Sequence, residues 1–127
     1  MIVTGKRVAQ YVGDKGGTVF QQPYEAIGFE RRGAIVAGAV FNNWTGPDCH
    51  VSVALEPGGV TRGFLAACSR YAFEQMGCCR VSITTEQRHV VDLALRIGGQ
   101  IEGLKRDAFG PGRDGWHIGI LKHEWEF

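Results

Sequence analysis

The chain has 127 residues, 44% of them apolar and 21% charged, the balance of an ordinary globular domain rather than a disordered segment. A chain this long buries about two-thirds of its unfolded surface, enough for a single core without covalent staples. Fourteen Lys and Arg against thirteen Asp and Glu leave a net charge of +1, which offers no basic excess for nucleic acid, and no apolar run approaches the ~20 residues of a membrane helix.

Residues 1–10 carry Lys6 and Arg7 without an apolar stretch, so they do not read as a signal peptide, and a cytosolic location is expected. The four cysteines suit that compartment. Cys49 and Cys68 stand alone and Cys78 adjoins Cys79, with no CxxC and no zinc-type spacing to histidine, so reduced thiols are expected and a metal site is not. Without a secretory signal, the sequon Asn43-Trp44-Thr45 is read as coincidental. Nineteen glycines cluster as punctuation between short elements, at Gly16-Gly17, Gly58-Gly59, Gly98-Gly99 and Gly110 to Gly115.

In chain order, residues 4–13 read as a short helix with Val8, Tyr11 and Val12 on one face, followed by a loop over 14–22. Residues 26–30 and 34–42 read as two strands joined by a hairpin turn at Arg31-Arg32-Gly33. The second of these is apolar without alternation, as expected of a strand covered on both faces. A strand over 49–55 is broken by Glu56-Pro57-Gly58-Gly59. Thr61 then caps a helix running to Met76 and closed by Gly77, with Phe64, Leu65, Cys68, Ala72 and Met76 inward. Residues 79–84 read as a strand. Thr84-Thr85-Glu86-Gln87 matches a capping box, opening a helix that turns Val90, Val91, Ala94 and Ile97 inward and stops at Gly98-Gly99. Strands over 101–108 and 116–122 close the chain around a turn at Arg113-Asp114-Gly115. The strand-helix-strand unit over 49–84 requires parallel pairing, while the hairpins require antiparallel pairing. The fold class is therefore α/β or α+β, a mixed sheet of about six strands in one domain with helices on both faces.

The joint between the strand ending at Leu55 and the helix starting at Thr61 has the form of an anion site. Free N–H groups and the helix dipole meet at a helix start, Gly58-Gly59 permits close backbone approach, and Arg62 adds a fork of donors. The joint is neither a P-loop nor a GxGxxG fingerprint.

Larger stretches resemble the GNAT superfamily of N-acetyltransferases. Residues 71–81, YAFEQMGCCRV, resemble its YAFEELGLHRV segment; residues 95–103, LRIGGQIEG, resemble EKLGFRLEG; and residues 114–121, DGWHIGIL, resemble its closing strand. The hairpin from Ile27 to Val40 is similar to the family's second and third strands. The likeness extends from Ala26 onward and is closest to short, phage-type members, which extends the expected compartment to a bacterial or phage-infected host cytosol. It implies acetyl-coenzyme A as cosubstrate and a primary amine, on a small molecule or a protein, as acceptor. It also implies a coenzyme site at Ala54, Leu55, Gly58, Gly59, Val60, Thr61, Arg62, Gly63 and Gln87. The family's pyrophosphate loop, Arg/Gln-x-x-Gly-x-Gly/Ala, has no single register here. Either Gly59 takes its last glycine or Arg62-Gly63 takes its Arg-Gly pair. The family's common acid, a tyrosine, falls on Ala94, and its GF pair becomes Gly98-Gly99.

Direct transfer needs a base for the amine and donors for the oxyanion. His50 is the first candidate base, with a merely hydrogen-bonded histidine as the other reading. Glu56, through water, and His117 are the further candidates. Tyr71 reads as packing, and neither Ser69 nor Cys78-Cys79 is placed as a nucleophile. The alternative function is a catalytically inactive binding module on the same fold, with a virion or host-interaction component as a third possibility. Val8, Tyr11 and Val12, left uncovered by a reduced helical region, would make a homodimer plausible.

Overall fold

The computed structural model describes residues 1–127. Its elements are β1 (Ile2–Thr4), α1 (Lys6–Gly16), β2 (Glu25–Arg31), β3 (Ala34–Asn42), β4 (Asp48–Leu55), α2 (Arg62–Ser69), β5 (Arg80–Thr85), α3 (Arg88–Ile97), β6 (Gln100–Lys105) and β7 (Gly115–Leu121). The strands form one mixed sheet of seven in the order β1-β2-β3-β4-β5-β7-β6. Only β4 and β5 are parallel; every other neighbouring pair is antiparallel. The architecture is a single α+β domain.

The sheet separates two apolar clusters. On one face, Ala37, Ala39 and Phe41 of β3 join Val51, Val81, Ile83, Ile118 and Ile120 beneath α2 and α3. On the other, Val8, Ala9 and Val12 of α1 meet Ala26, Val40 and Ala54. Strand β3 feeds both clusters, which is why its sequence is apolar without alternation. In the hairpin before it, Arg32 (φ 54°) and Gly33 (φ 81°) are both left-handed, the two-residue turn that matches strand twist.

Local chemistry sets the helix boundaries. Thr61 caps α2, its Oγ1 accepting from the Phe64 N–H at 3.1 Å. Beyond Ser69 the helix widens into a π-helical turn over Arg70–Gln75, and Gly77 (φ 71°) ends it in the left-handed region. Helix α3 presents Val90, Val91, Leu93, Ala94 and Ile97 to the core, the inward face expected plus Leu93.

Four details differ from the sequence reading. An extra strand, β1, precedes α1 and pairs with β2. The capping box does not form. Thr84 and Thr85 remain in β5, Gln87 is the cap without a side-chain bond, and Thr85 Oγ1 instead accepts from the Gln87 N–H at 3.0 Å. Strand β6 stops at Lys105, and a longer connection over 106–114 replaces the tight turn. It is held by the Asp107 carboxylate, which accepts from the Gly112 N–H at 2.9 Å, and by Asp114, which accepts from the Asp107 N–H at 2.9 Å. Finally, the apolar face of α1 is covered. Val8 is 0% and Val12 3% exposed against the sheet, so this face gives no reason for a dimer. Burial of this kind stabilises by about 1.5–3 kcal/mol per side chain.

Two facing glycines make that seat. Gly28 and Gly38 are register partners, and a Cβ on Gly38 would stand 2.7 Å from Val12 Cγ2. Gly38→Val is expected to lift α1 off the sheet and destabilise the fold by about 1–3 kcal/mol. Thermal unfolding of the variant against the parent checks this.

Candidate functional site

Strands β4 and β5 pair over only three positions, Asp48↔Arg80, Cys49↔Val81 and His50↔Ser82. Past them the two strands part. Strand β4 stays with β3 as far as Leu55, and β5 stays with β7 as far as Thr85. Each is thus held by its other neighbour, which leaves a gap between them. The parting leads into a cavity of about 1020 Å³ whose lining includes His50, Ser52 and Val53 of β4 and Ile83, Thr84 and Thr85 of β5. The end of α1 and the connection after β6 complete its walls. Both parted strands run into helices, so the starts of α2 and α3 lie beyond the same ends of the sheet. In open sheets this is where ligands bind.

The loop after β4 is shaped by two close contacts. The Glu56 N–H donates to the Val36 carbonyl at 2.8 Å, and the Gly59 N–H donates to the Glu56 carbonyl at 2.9 Å. Gly59 has no room for a side chain, since a Cβ there would come 2.2 Å from the Val36 oxygen. Gly58 (φ 75°) makes the turn, and its carbonyl accepts from Arg31 Nη1 at 3.1 Å. The next four backbone N–H groups, Val60 to Gly63, have no acceptor in the chain. Four free donors at a helix N-terminus form a cradle for an anion. A Cβ on Gly63 would meet nothing closer than Thr61 Oγ1 at 3.9 Å, so the approach is open. These donors fit a pyrophosphate, although the sequence of the loop matches the expected pattern in no single register. Arg62 is turned aside, with its guanidinium 5.5 Å from the centre of the Phe127 ring. Ala54 is buried under α1 and Leu55 packs against the main core, so these two side chains are structural and only their backbone groups remain available. Gln87 lines the cavity at the start of α3.

Side chains on the α1 face of the sheet form a polar patch beside the gap. Ser82 Oγ lies 2.9 Å from both Asp48 carboxylate oxygens and accepts from Arg80 Nη2 at 3.1 Å. Arg80 also donates to Glu102 at 2.7 Å. His117 Nδ1 sits 3.0 Å from Thr84 Oγ1, and its Nε2 is 3.9 Å from Glu102. His50 shares this face and lines the cavity. Burial, joined by the charges of Lys105 and His117, pushes its pKa below the ordinary imidazole value, and Asp48 opposes them. A neutral imidazole at pH 7 can take a proton.

The remaining sequence candidates fare differently. Glu56 is tied to Lys15 at 2.7 Å and to the Tyr11 hydroxyl at 3.1 Å, which together hold its carboxyl below the usual range and make it a weaker base. His117 lies on the patch without lining the cavity. Tyr71 packs edge-on against Phe41, with ring centres 4.9 Å apart. Burial pushes the Cys49 and Cys68 thiols up to about 12, so neither is a thiolate at neutral pH. Sequence reading passed over Ser52, Thr84, Lys105 and Arg106, which all line the cavity. Ser52 was within reach, because strand alternation puts it on the face of His50. The connection after β6 carries no such period.

No protein-family model and no curated protein matches the chain. Solved structures do. The spermidine/spermine N-acetyltransferase SpeG of Vibrio cholerae superposes with a TM-score of 0.68 at 12% identity, over 96% of this chain and 92% of that one. The IAA acetyltransferase of Bacillus cereus gives 0.68 at 13% identity, over 95% and 98% of the two chains. A GNAT-family acetyltransferase of Bacillus anthracis gives 0.63 at 16% identity, over 97% and 95%. The chain has the fold of the GNAT acetyltransferases.

The lowered pKa of His50 makes stability depend on pH. Below about 6.5, the ordinary value, the unfolded chain takes a proton that the folded one refuses, so stability falls with pH in that window. Glu102 has a carboxyl held low by Arg80. Its contribution is present above 4.5 and is lost at lower pH. Thermal midpoints measured across pH 5–7 should therefore decline less for His50→Gln than for the parent.

Proposed function

We propose that the protein is an acetyl-coenzyme A-dependent N-acetyltransferase acting by direct transfer to a primary amine. The observation that carries this is the parting of β4 and β5 after the His50–Ser82 pair, together with four free N–H groups at the start of α2, the helix into which β4 leads. The fold shared with GNAT acetyltransferases supports it.

Each part of the gap has a task in this reading. The N–H groups from Val60 to Gly63 hold the pyrophosphate, and Gln87 borders the site at α3. The edge of β4 beyond His50 no longer pairs with β5, so its backbone donors are free to meet a thioester carbonyl and the oxyanion that develops on it. The thioester supplies an activated acyl carbon. The amine nitrogen bonds to that carbon as the carbon–sulfur bond breaks, and the amine proton passes to His50, directly or through water. His117, held by Thr84, and Glu56, held by Lys15 and Tyr11, are secondary candidates for proton handling. Ala94 is buried in the core and provides no phenol for the departing sulfur. The proton reaching the thiolate therefore comes by way of His50 or solvent. No metal is required. The reading places a short, phage-type transferase in a cytosol, alone or as a homodimer.

Calorimetric titration with acetyl-coenzyme A tests this reading, and micromolar affinity is the expected result. Gly63→Glu should abolish binding without loss of thermal stability, because the new carboxylate would occupy open space at a helix N-terminus that favours it. His50→Ala should leave binding intact and slow turnover by about 10²–10⁴-fold. No binding at millimolar coenzyme would leave the chain as an inactive interaction domain on this fold.

A further inference from the structure

We propose that the acceptor is an amine whose own molecule carries an anionic group, held at Lys105 and Arg106. The inference rests on the transferase reading and names the substrate class of the same cavity.

The charged side chains lining the cavity, His50 aside, are Asp14, Lys15, Glu86, Lys105, Arg106 and Arg113. Two of the four cations are already matched. Lys15 pairs with Glu56 at 2.7 Å, and Arg113 pairs with Glu86. Lys105 and Arg106 form no ion pair with any carboxylate of the chain. They are adjacent at the end of β6, and Lys105 lies close enough to His50 for its charge to act on the imidazole. The one unmatched carboxylate of the lining, Asp14, belongs to α1, a different element from the one that carries Lys105.

This arrangement sorts amines by charge. A positive field near His50 favours the neutral, nucleophilic form of an amine over its ammonium form. The same field repels a molecule whose only charges are positive. A polyamine would bring several positive charges to a cavity with a single unmatched carboxylate. An amine that also bears a carboxylate or phosphate places that group against Lys105 and Arg106, matching both sites at once. The two side chains are exposed, so the pair stabilises little by itself and is free to serve a ligand.

The test compares acetyl transfer to matched probes: phenylalanine against phenylalaninamide, phosphoethanolamine against ethanolamine, and spermidine. The anionic member of at least one pair should have a kcat/KM about tenfold higher, carried by KM, and the pair that responds identifies carboxylate or phosphate. In the double variant K105A/R106A that advantage should collapse, with the affinity for acetyl-coenzyme A unchanged. Equal or better use of the amide, ethanolamine and spermidine would overturn the proposal. A matching loss of acetyl-coenzyme A affinity in the double variant would also overturn it, because the two cations would then belong to the coenzyme's phosphates. Failure of the transferase reading shows separately, as absence of coenzyme binding. In that event the His50 ring resonances, titrated with the same probe pairs, decide. Tighter binding of the anionic member, lost in the double variant, supports the proposal, and equal binding of both members overturns it.

Discussion

The brevity of the β4–β5 pairing governs the rest of this molecule. After His50 and Ser82 each strand follows its other neighbour, and the sheet opens without losing either strand. Parallel strands need a long crossover, and α2 with its π-helical extension supplies it on the far face. Because both parted strands lead into helices, the gap, the backbone edge of β4 and two helix starts fall at one end of the sheet. The cavity is a consequence of this topology rather than of any one side chain.

Around that gap, electrostatics divides the titratable groups by burial and partner. His50 is kept neutral by burial and by nearby positive charge. Cys49 and Cys68 stay protonated because an apolar core cannot stabilise a thiolate. Glu56 is committed to Lys15 and Tyr11, which ties the end of β4 to α1. Arg80 bridges Glu102 and Ser82, spanning β5 and β6 across the uncovered part of the sheet. The group left free to exchange a proton next to the gap is the imidazole of His50.

Missing side chains matter as much as present ones. Gly28 and Gly38 let α1 lie directly on β2 and β3, which brings the end of α1 to the wall of the cavity. Gly59 fits only because a hydrogen atom replaces a Cβ opposite the Val36 carbonyl. The loop it belongs to departs from the expected motif, yet its backbone still leaves four consecutive donors unmatched. Anion binding at a helix start uses N–H groups, which every residue but proline has, so the geometry tolerates a change of sequence.

The sequence by itself determined the main elements, because hydrophobic period, glycine breaks and the Thr61 cap are local signals. It also marked His50, through a residue type suited to neutral-pH proton transfer, and the Gly58–Gly63 loop, through its place between a strand and a helix. The failure of the capping box was not local. Thr84 and Thr85 are held extended by pairing with β7, and that pairing outweighs a cap. Strand β1 was too short to show a period and exists only because β2 offers an edge. The tertiary structure alone decided that Glu56 is engaged by α1, that the face of α1 is covered, and that Lys105 and Arg106 line the same cavity as His50. Each of these depends on residues far apart in the chain meeting across the sheet, and no pattern within one segment encodes such a meeting.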